Sequence, residues 1–348
     1  MKLFIFLFIF MNIIDKNVIL KSINNSKKNL MITTVANYDW NNVAIFFKSY
    51  QKVKFENTDL VVYVNNVAEK TIEKIKSCGA LIYPIPDEYK KENVINSRWK
   101  LYSEYLRRYP NKYNLVFTGD ARDIIFQTDI FKIYKDINKS FLGLAIEDGF
   151  ISQEPINKVW VIDAYGEELF NTIKNKRIIC LGTIWGTSDK FLEFVDTMWN
   201  ILSSEWGVKG KVVDQAVGNY IVYHDKMWND CVIFSENRDG PVMTVAITNR
   251  AFINLDSNNN ILNVKGEIAS VVHQYDRKDD ITEMAKNKYC PELNEKIEEK
   301  KENNISEIII FIFLIGVILL TFFIGLLYIY KNKLTKNNRD NKCKSNYF

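Results

Sequence analysis

Glycine and proline are scarce in these 348 residues, with fourteen of the first and six of the second. That scarcity excludes low-complexity linkers and fibrous repeats. A basic domain is also missing. The formal charge is +4, but the last eighteen residues hold six basic groups (Lys331, Lys333, Lys336, Arg339, Lys342, Lys344) against Asp340 alone. Taking that surplus of five from +4 leaves the preceding 330 residues at −1. No basic domain precedes the tail to neutralise phosphates along a duplex, so a nucleic-acid partner is not expected. Histidine is rarer still, at two, His224 and His273. What remains is globular: 47% hydrophobic and 25% charged residues, values that disorder would not show.

The two ends read as targeting signals. Residues 308–330 form an uncharged run of twenty-three, IIIFIFLIGVILLTFFIGLLYIY. About twenty such residues cover the hydrocarbon core of a bilayer, so the run reads as a transmembrane helix. Residues 291–307 read as a polar stalk, with six acids against three lysines from Cys290 to Glu307. The basic tail, 331–348, is then cytosolic and the chain before the run lumenal or extracellular. At the other end, Met1-Lys2 precedes the apolar stretch LFIFLFIFMNII. It is too short to span, and suits a signal peptide over residues 1–22 or a short retained anchor. The expectation is a single-pass type I membrane protein of the endoplasmic reticulum or Golgi, with the plasma membrane as the other destination.

That side of the membrane is oxidising, and Cys78, Cys180, Cys231 and Cys290 lie on it. Four cysteines allow three pairings, or buried thiols, as the apolar run around Cys180 suits. Asn24, Asn138 and Asn304 begin glycosylation sequons, the last close to the membrane.

Between the ends, residues 28–290 read as one domain in which strands and helices alternate. LMITTV precedes WNNVAIFFKSY, LVVYV precedes AEKTIEKIKSC, and ALIYPI precedes SRWKLYSEYLRRY. In the last, Trp99, Tyr102, Leu106 and Tyr109 recur at helical spacing, with Ser97 as the expected cap and Pro110 as the stop. NLVFT reads as a strand buried between parallel neighbours, FLGLAIED and RIICLGTIWGT as further strands. FLEFVDTMWNIL gathers Phe191, Phe194, Val195, Met198 and Leu202 on one helical side. Such alternation predicts an α/β, Rossmann-like domain with a mainly parallel central sheet.

Ligands of parallel sheets bind beyond the carboxyl ends of strands. NLVFT ends there in Thr118-Gly-Asp-Ala-Arg-Asp123. Gly119 would allow a sharp exit from the strand. Asp120 and Asp123 offer two hard oxygens within one turn, suited to Mn²⁺ or Mg²⁺, and Arg122 between them suits an oxyanion. The plain alternative is two surface carboxylates capping a turn. His273, ending the stretch ILNVKGEIASVVH, suits a third ligand, while His224 in a helical segment reads as structural.

An acidic pair closing a strand, a late histidine and a G-T strand followed by a D-Q helix together resemble the GT-A-type glycosyltransferases. Those enzymes hold a nucleotide-diphospho-sugar on Mn²⁺. D-A-R-D-I-I-F-Q (120–127) and V-H-Q-Y-D-R (272–277) are similar to one membrane-bound eukaryotic group of them. The resemblance covers residues 30–277 and implies metal ligation by Asp120, Asp123 and His273. It further implies base and ribose contacts at Thr33, Ala36, Asn37 and Tyr38, and sugar contacts flanked by Gly182 and Thr183. Asp214 and Gln215 would meet donor sugar or acceptor, and Arg98, with Lys100, the phosphates or base; a solvated helix face is the other reading of that last pair. The spacing is D-x-R-D where the family has D-x-D, which leaves open which carboxylate ligates. The implied partners are a nucleotide-sugar donor, UDP- or GDP-linked, and a glycan, glycoprotein or lipid acceptor.

In such an enzyme a divalent ion stabilises the departing diphosphate. Inversion would also need a carboxylate base, for which Glu147, Asp148 and Asp214 are candidates; retention would not. Two other functions stay open from sequence: an inactive glycan-binding or scaffold relative of the same fold, and a surface receptor ectodomain.

Overall fold

The computed structural model describes residues 27–90, 93–204, 211, 213–224, 228 and 230–293. Of the C-terminal stretch it describes 311, 313–320, 322–323, 326–327, 329 and 331. The expected signal peptide, most of the stalk and all but the first residue of the tail lie outside these. The chain divides into two units, Met1–Cys290 and Pro291–Phe348. In the second, residues 313–320 are helical and their large apolar side chains are exposed, Phe313 at 71%. Among the described residues no helix is long and apolar enough to cross a membrane, and the 23-residue apolar run is described only in fragments.

The first unit is built on a seven-stranded sheet of order β3-β2-β1-β4-β7-β6-β8. Its strands are β1 (Lys28–Ala36), β2 (Thr58–Asn65), β3 (Ala80–Pro84), β4 (Tyr113–Gly119), β6 (Leu142–Phe150), β7 (Arg177–Thr187) and β8 (Val232–Glu236). Four of its six pairings are parallel, so the sheet is mainly parallel as expected. β7 is the exception, antiparallel to both β4 and β6. The NLVFT strand, β4, therefore has one parallel neighbour rather than two. Its apolar sequence reflects burial on both faces, which the direction of the neighbour does not change.

Helices cover those faces; two short helices of this unit are α2 (Glu69–Ser77) and α4 (Ile130–Tyr134). On one side pack α3 (Val94–Arg108), α5 (Pro155–Ile173), α6 (Ser188–Leu202) and α7 (Asp214–His224). Alternate sheet residues such as Leu30, Ile32, Val116 and Ile184 join Trp99, Tyr102, Phe191, Phe194 and Met198 in one core. On the other side, α1 (Trp40–Val53) sends Phe46 against Phe126, whose ring also meets Phe117. The expected cap of α3 is moved. Asn93 caps it, accepting from the Ile95 amide at 2.9 Å, and Ser97 is buried one turn inside. Both residues suit an N-cap, and the side chain nearest the first free amides takes the role.

Besides a two-stranded sheet of β10 (Asn254–Leu255) and β11 (Ile261–Leu262), a second, three-stranded sheet positions the late histidine. It comprises β5 (Ile124–Phe126), β9 (Val242–Thr244) and β12 (Val271–His273), in the order β5-β12-β9. β12 is antiparallel to β5 and pairs His273 with Ile124. Because β5 begins one residue after Asp123, that register lays His273 beside the acidic turn. Gly119 has a role other than the one its position suggests. Its backbone is not left-handed; a Cβ there would sit 2.3 Å from Ile124 Cδ1, so its value is the space it leaves for β5.

Candidate metal centre

The strand order sets the site's location. From β1 the chain crosses to β2 and β3 on one side, then returns to β4 on the other, so a crevice opens beyond the carboxyl ends of β1 and β4. Thr33 ties the two strands there, its Oγ1 donating to the Gly119 carbonyl at 2.7 Å. Beyond β4, the Asp120 amide donates to the Gly182 carbonyl of β7 at 3.0 Å. Three ligand atoms from Asp120, Asp123 and His273 lie within 4.8 Å of one another.

Two of those atoms have no hydrogen-bond partner although they are buried: Asp123 Oδ1 and His273 Nε2. They stand 3.3 Å apart, and His273 Nε2 is 3.8 Å from Asp120 Oδ2. A buried polar atom left without a partner costs free energy, so two aimed at one point mark a place for a third body. Asp120 remains 39% exposed, which leaves the site open on the crevice side. Space for that body is kept by Gly182. A Cβ on it would lie 2.2 Å from His273 Cε1, 2.5 Å from Nε2 and 2.9 Å from Asp120 Oδ2. Two carboxylates and one imidazole are a donor set for Mn²⁺ or Mg²⁺, so the residues present fit the expected ion.

Around these atoms lies a charged frame. Arg98, from α3, donates to Asp120 Oδ1 at 2.6 Å and to Asp214 Oδ2 at 2.7 Å. Arg98 is thus no solvated helix face: only 14% of its side chain is exposed, and it joins the metal turn to the start of α7. Burial pushes the Asp120 carboxyl up, but Arg98 and His273 outweigh it and hold it well below the usual carboxylate range. For Asp214 burial wins and its pKa is raised despite Arg98. Burial pulls His273 down, while Cys180, Asp123 and Asp120 together raise it well above 6.5.

The other expected residues fall as follows. Arg122 sits 3.2 Å from Asp123 Oδ2 and 3.3 Å from Asp276 Oδ2, half-exposed; burial pulls its pKa down, but Asp123 and Asp276 outweigh that and raise it. Ala36 and Tyr38 are half-buried at the end of β1. Asn37 is exposed there, with a left-handed φ of 58°, and its Oδ1 accepts from Asn66. Thr183 is buried on β7. Gln215 does not face the crevice with its amide. Oε1 accepts from the Leu181 amide at 3.1 Å and Nε2 donates to the Ile179 carbonyl at 2.6 Å, so it clamps β7 to α7. His224 is exposed and stacks on Tyr220 with ring centroids 5.0 Å apart.

None of the three candidate bases is exposed. Asp148 is tied to Arg238 at 3.1 Å, Asp214 to Arg98, and Glu147 is buried with its pKa pushed up to about 7. Two contributors escaped the sequence reading. Asp276 anchors Arg122, and Cys180 Sγ lies 3.2 Å from His273 Nδ1. A signal for Cys180 existed, since residues two apart on a strand share a face and Gly182 was already suspected.

No protein-family model matches the chain, and no curated protein matches it. Among solved structures, it is similar to the galactosyltransferase LgtC in complex with donor and acceptor sugar analogs. That match has a TM-score of 0.43 at 16% identity, over 74% of this chain and 95% of that one. It is similar also to an active-site mutant of LgtC, with a TM-score of 0.44 at 14% identity over the same shares. At TM-scores below 0.5 this likeness carries no weight, and function rests on the chain's own atoms.

Proposed function

We propose that this chain is a metal-dependent glycosyltransferase that moves a sugar from a nucleotide-diphosphate donor to a glycan, glycoprotein or lipid acceptor. The observation that carries the reading is the convergence of the Asp120, Asp123 and His273 ligand atoms, two of them buried and unpartnered, at the crevice beyond β1 and β4. Asp120, Asp123 and His273 would hold Mn²⁺ or Mg²⁺, whose positive charge would be supplied to the diphosphate leaving group. Arg98 fixes the Asp120 carboxylate with one nitrogen and Asp214 with the other, so the metal turn and α7 keep one geometry. Arg122, half-exposed on the other flank, offers its free donors to donor phosphate oxygens. Ala36, Asn37 and Tyr38 line the end of β1 where base and ribose would lie, and Gly182 and Thr183 flank the sugar. Gln215 serves by holding the β7 backbone that carries Gly182.

The uncharged run 308–330, with its basic following segment, supports a single C-terminal span with residues 28–290 lumenal, in the endoplasmic reticulum or Golgi. Resistance of the full chain to alkaline extraction from membranes tests that placement; release into the supernatant refutes it.

The activity is tested by incubating the purified chain with a panel of UDP- and GDP-sugars and following release of the nucleoside diphosphate. Release that requires Mn²⁺ or Mg²⁺, stops with chelator and is lost in Asp123→Asn is the expected result. Nucleotide release indifferent to chelator, or none from any donor in the presence of membrane glycans and lipids, refutes the reading.

A further inference from the structure

His273 has two ring nitrogens, and the one turned away from the metal turn controls the other. Nε2 can bind a cation only as a lone pair, which in neutral imidazole requires the proton on Nδ1. Metal-bound histidines therefore pass their second N–H to a carboxylate, a carbonyl or water. Here Nδ1 meets a sulfur: Cys180 Sγ, at 3.2 Å, is its hydrogen-bond partner among the described residues. Both side chains are almost wholly buried, His273 at 1% and Cys180 at 2% exposure. Glu147, buried on the neighbouring strand β6, is among the groups that act on this thiol electrostatically. Gly182, two residues along the same strand, closes on the adjoining Cε1–Nε2 edge. The imidazole thus meets β7 along the side from Nδ1 to Nε2.

On the reading that the site is metal-dependent, we propose that Cys180 is a positioning residue for the metal. Its sulfur accepts the Nδ1–H of His273 and holds the tautomer whose Nε2 lone pair points between Asp120 and Asp123. A thiol kept only to fill the core would face apolar neighbours. Cys180 instead faces the Nδ1 of a histidine ring.

The test is Mn²⁺ titration of the full-length chain in detergent, followed by the paramagnetic resonance signal of the free ion, with thermal unfolding of each variant alongside. Cys180→Ala is expected to weaken Mn²⁺ binding by about 10–100-fold, the usual cost of losing a metal ligand's own partner. Cys180→Ser, which restores an acceptor, is expected to recover most of that loss. Where Cys180→Ala folds poorly, Cys180→Val, close in volume and without an acceptor, replaces it. Binding unchanged in Cys180→Ala, or lost equally in the alanine and serine variants, overturns the proposal. A wild-type chain that binds no Mn²⁺, or one whose binding survives His273→Ala, overturns the metal reading beneath it instead, so the two failures are distinguishable.

Discussion

Gly182→Ala should empty the metal centre with only a modest effect on the fold. The added methyl would sit 2.2 Å from His273 Cε1, against an ordinary contact distance that begins at 3.4 Å. The ring must therefore retreat by about 1.2 Å, the difference of those two distances. Metal–ligand distances tolerate only about 0.2 Å, so Nε2 is lost as a ligand. His273 cannot swing clear, because its ring is buried and β12 pairs it on both sides. Overpacking of this kind costs about 1–3 kcal/mol, and each kcal/mol moves the unfolding midpoint of a domain this large by about 2–4 °C. The assay is thermal unfolding with and without Mn²⁺. The wild type should gain stability from the ion through its preference for the folded state. Gly182→Ala should unfold several degrees lower and gain nothing. A variant stabilised by Mn²⁺ as strongly as the wild type would refute the reasoning.

Three further outcomes are expected. Arg98→Met strands Asp120 and Asp214 beside each other and should cost about 3 kcal/mol in denaturant unfolding, the low end for breaking a buried pair because Asp120 is partly solvated; a loss under about 1 kcal/mol would make the pair dispensable. Glu147 is raised from 4.5 to about 7, so the native state holds a proton that the unfolded chain releases; stability is full below pH 4.5 and falls as pH rises to about 7. The fall is about 3 kcal/mol, at 1.36 kcal/mol per pH unit, and should vanish from the stability–pH curve of Glu147→Gln; an identical slope in the variant would contradict it. Asn138 is exposed on the loop between the helix Ile130–Tyr134 and β6, so if this unit is lumenal the chain should lose mass with an N-glycosidase, and the shift attributable to this site should be absent in Asn138→Gln.

Much of the fold was legible because its elements bury whole faces. The apolar residues of FLEFVDTMWNIL named from periodicity alone are the buried residues of α6. Strand direction was not, since β4 reads the same beside a parallel or an antiparallel neighbour, and the β4–β7 pairing is antiparallel. The small sheet β5-β12-β9 has three-residue strands, too short to show a period, yet its register is what brings His273 to Asp123. Among the site residues, Asp120, Asp123 and His273 were legible from residue type and position after a buried strand, and they converge. For Gln215, a D-Q pair at a helix start says nothing about which way the amide turns; it turns to the β7 backbone. Cys180 sat inside an apolar run and so looked like packing, although its face of the strand is the one that meets His273.

The central claim is that a divalent ion held by Asp120, Asp123 and His273 receives a nucleoside diphosphate. Calorimetric titration of the full-length chain with UDP and GDP, with and without Mn²⁺, tests it most directly. The account predicts binding of one of the two nucleotides that requires Mn²⁺ and disappears in His273→Ala. Binding of equal strength without the ion, or no binding of either nucleotide by folded protein, would contradict it.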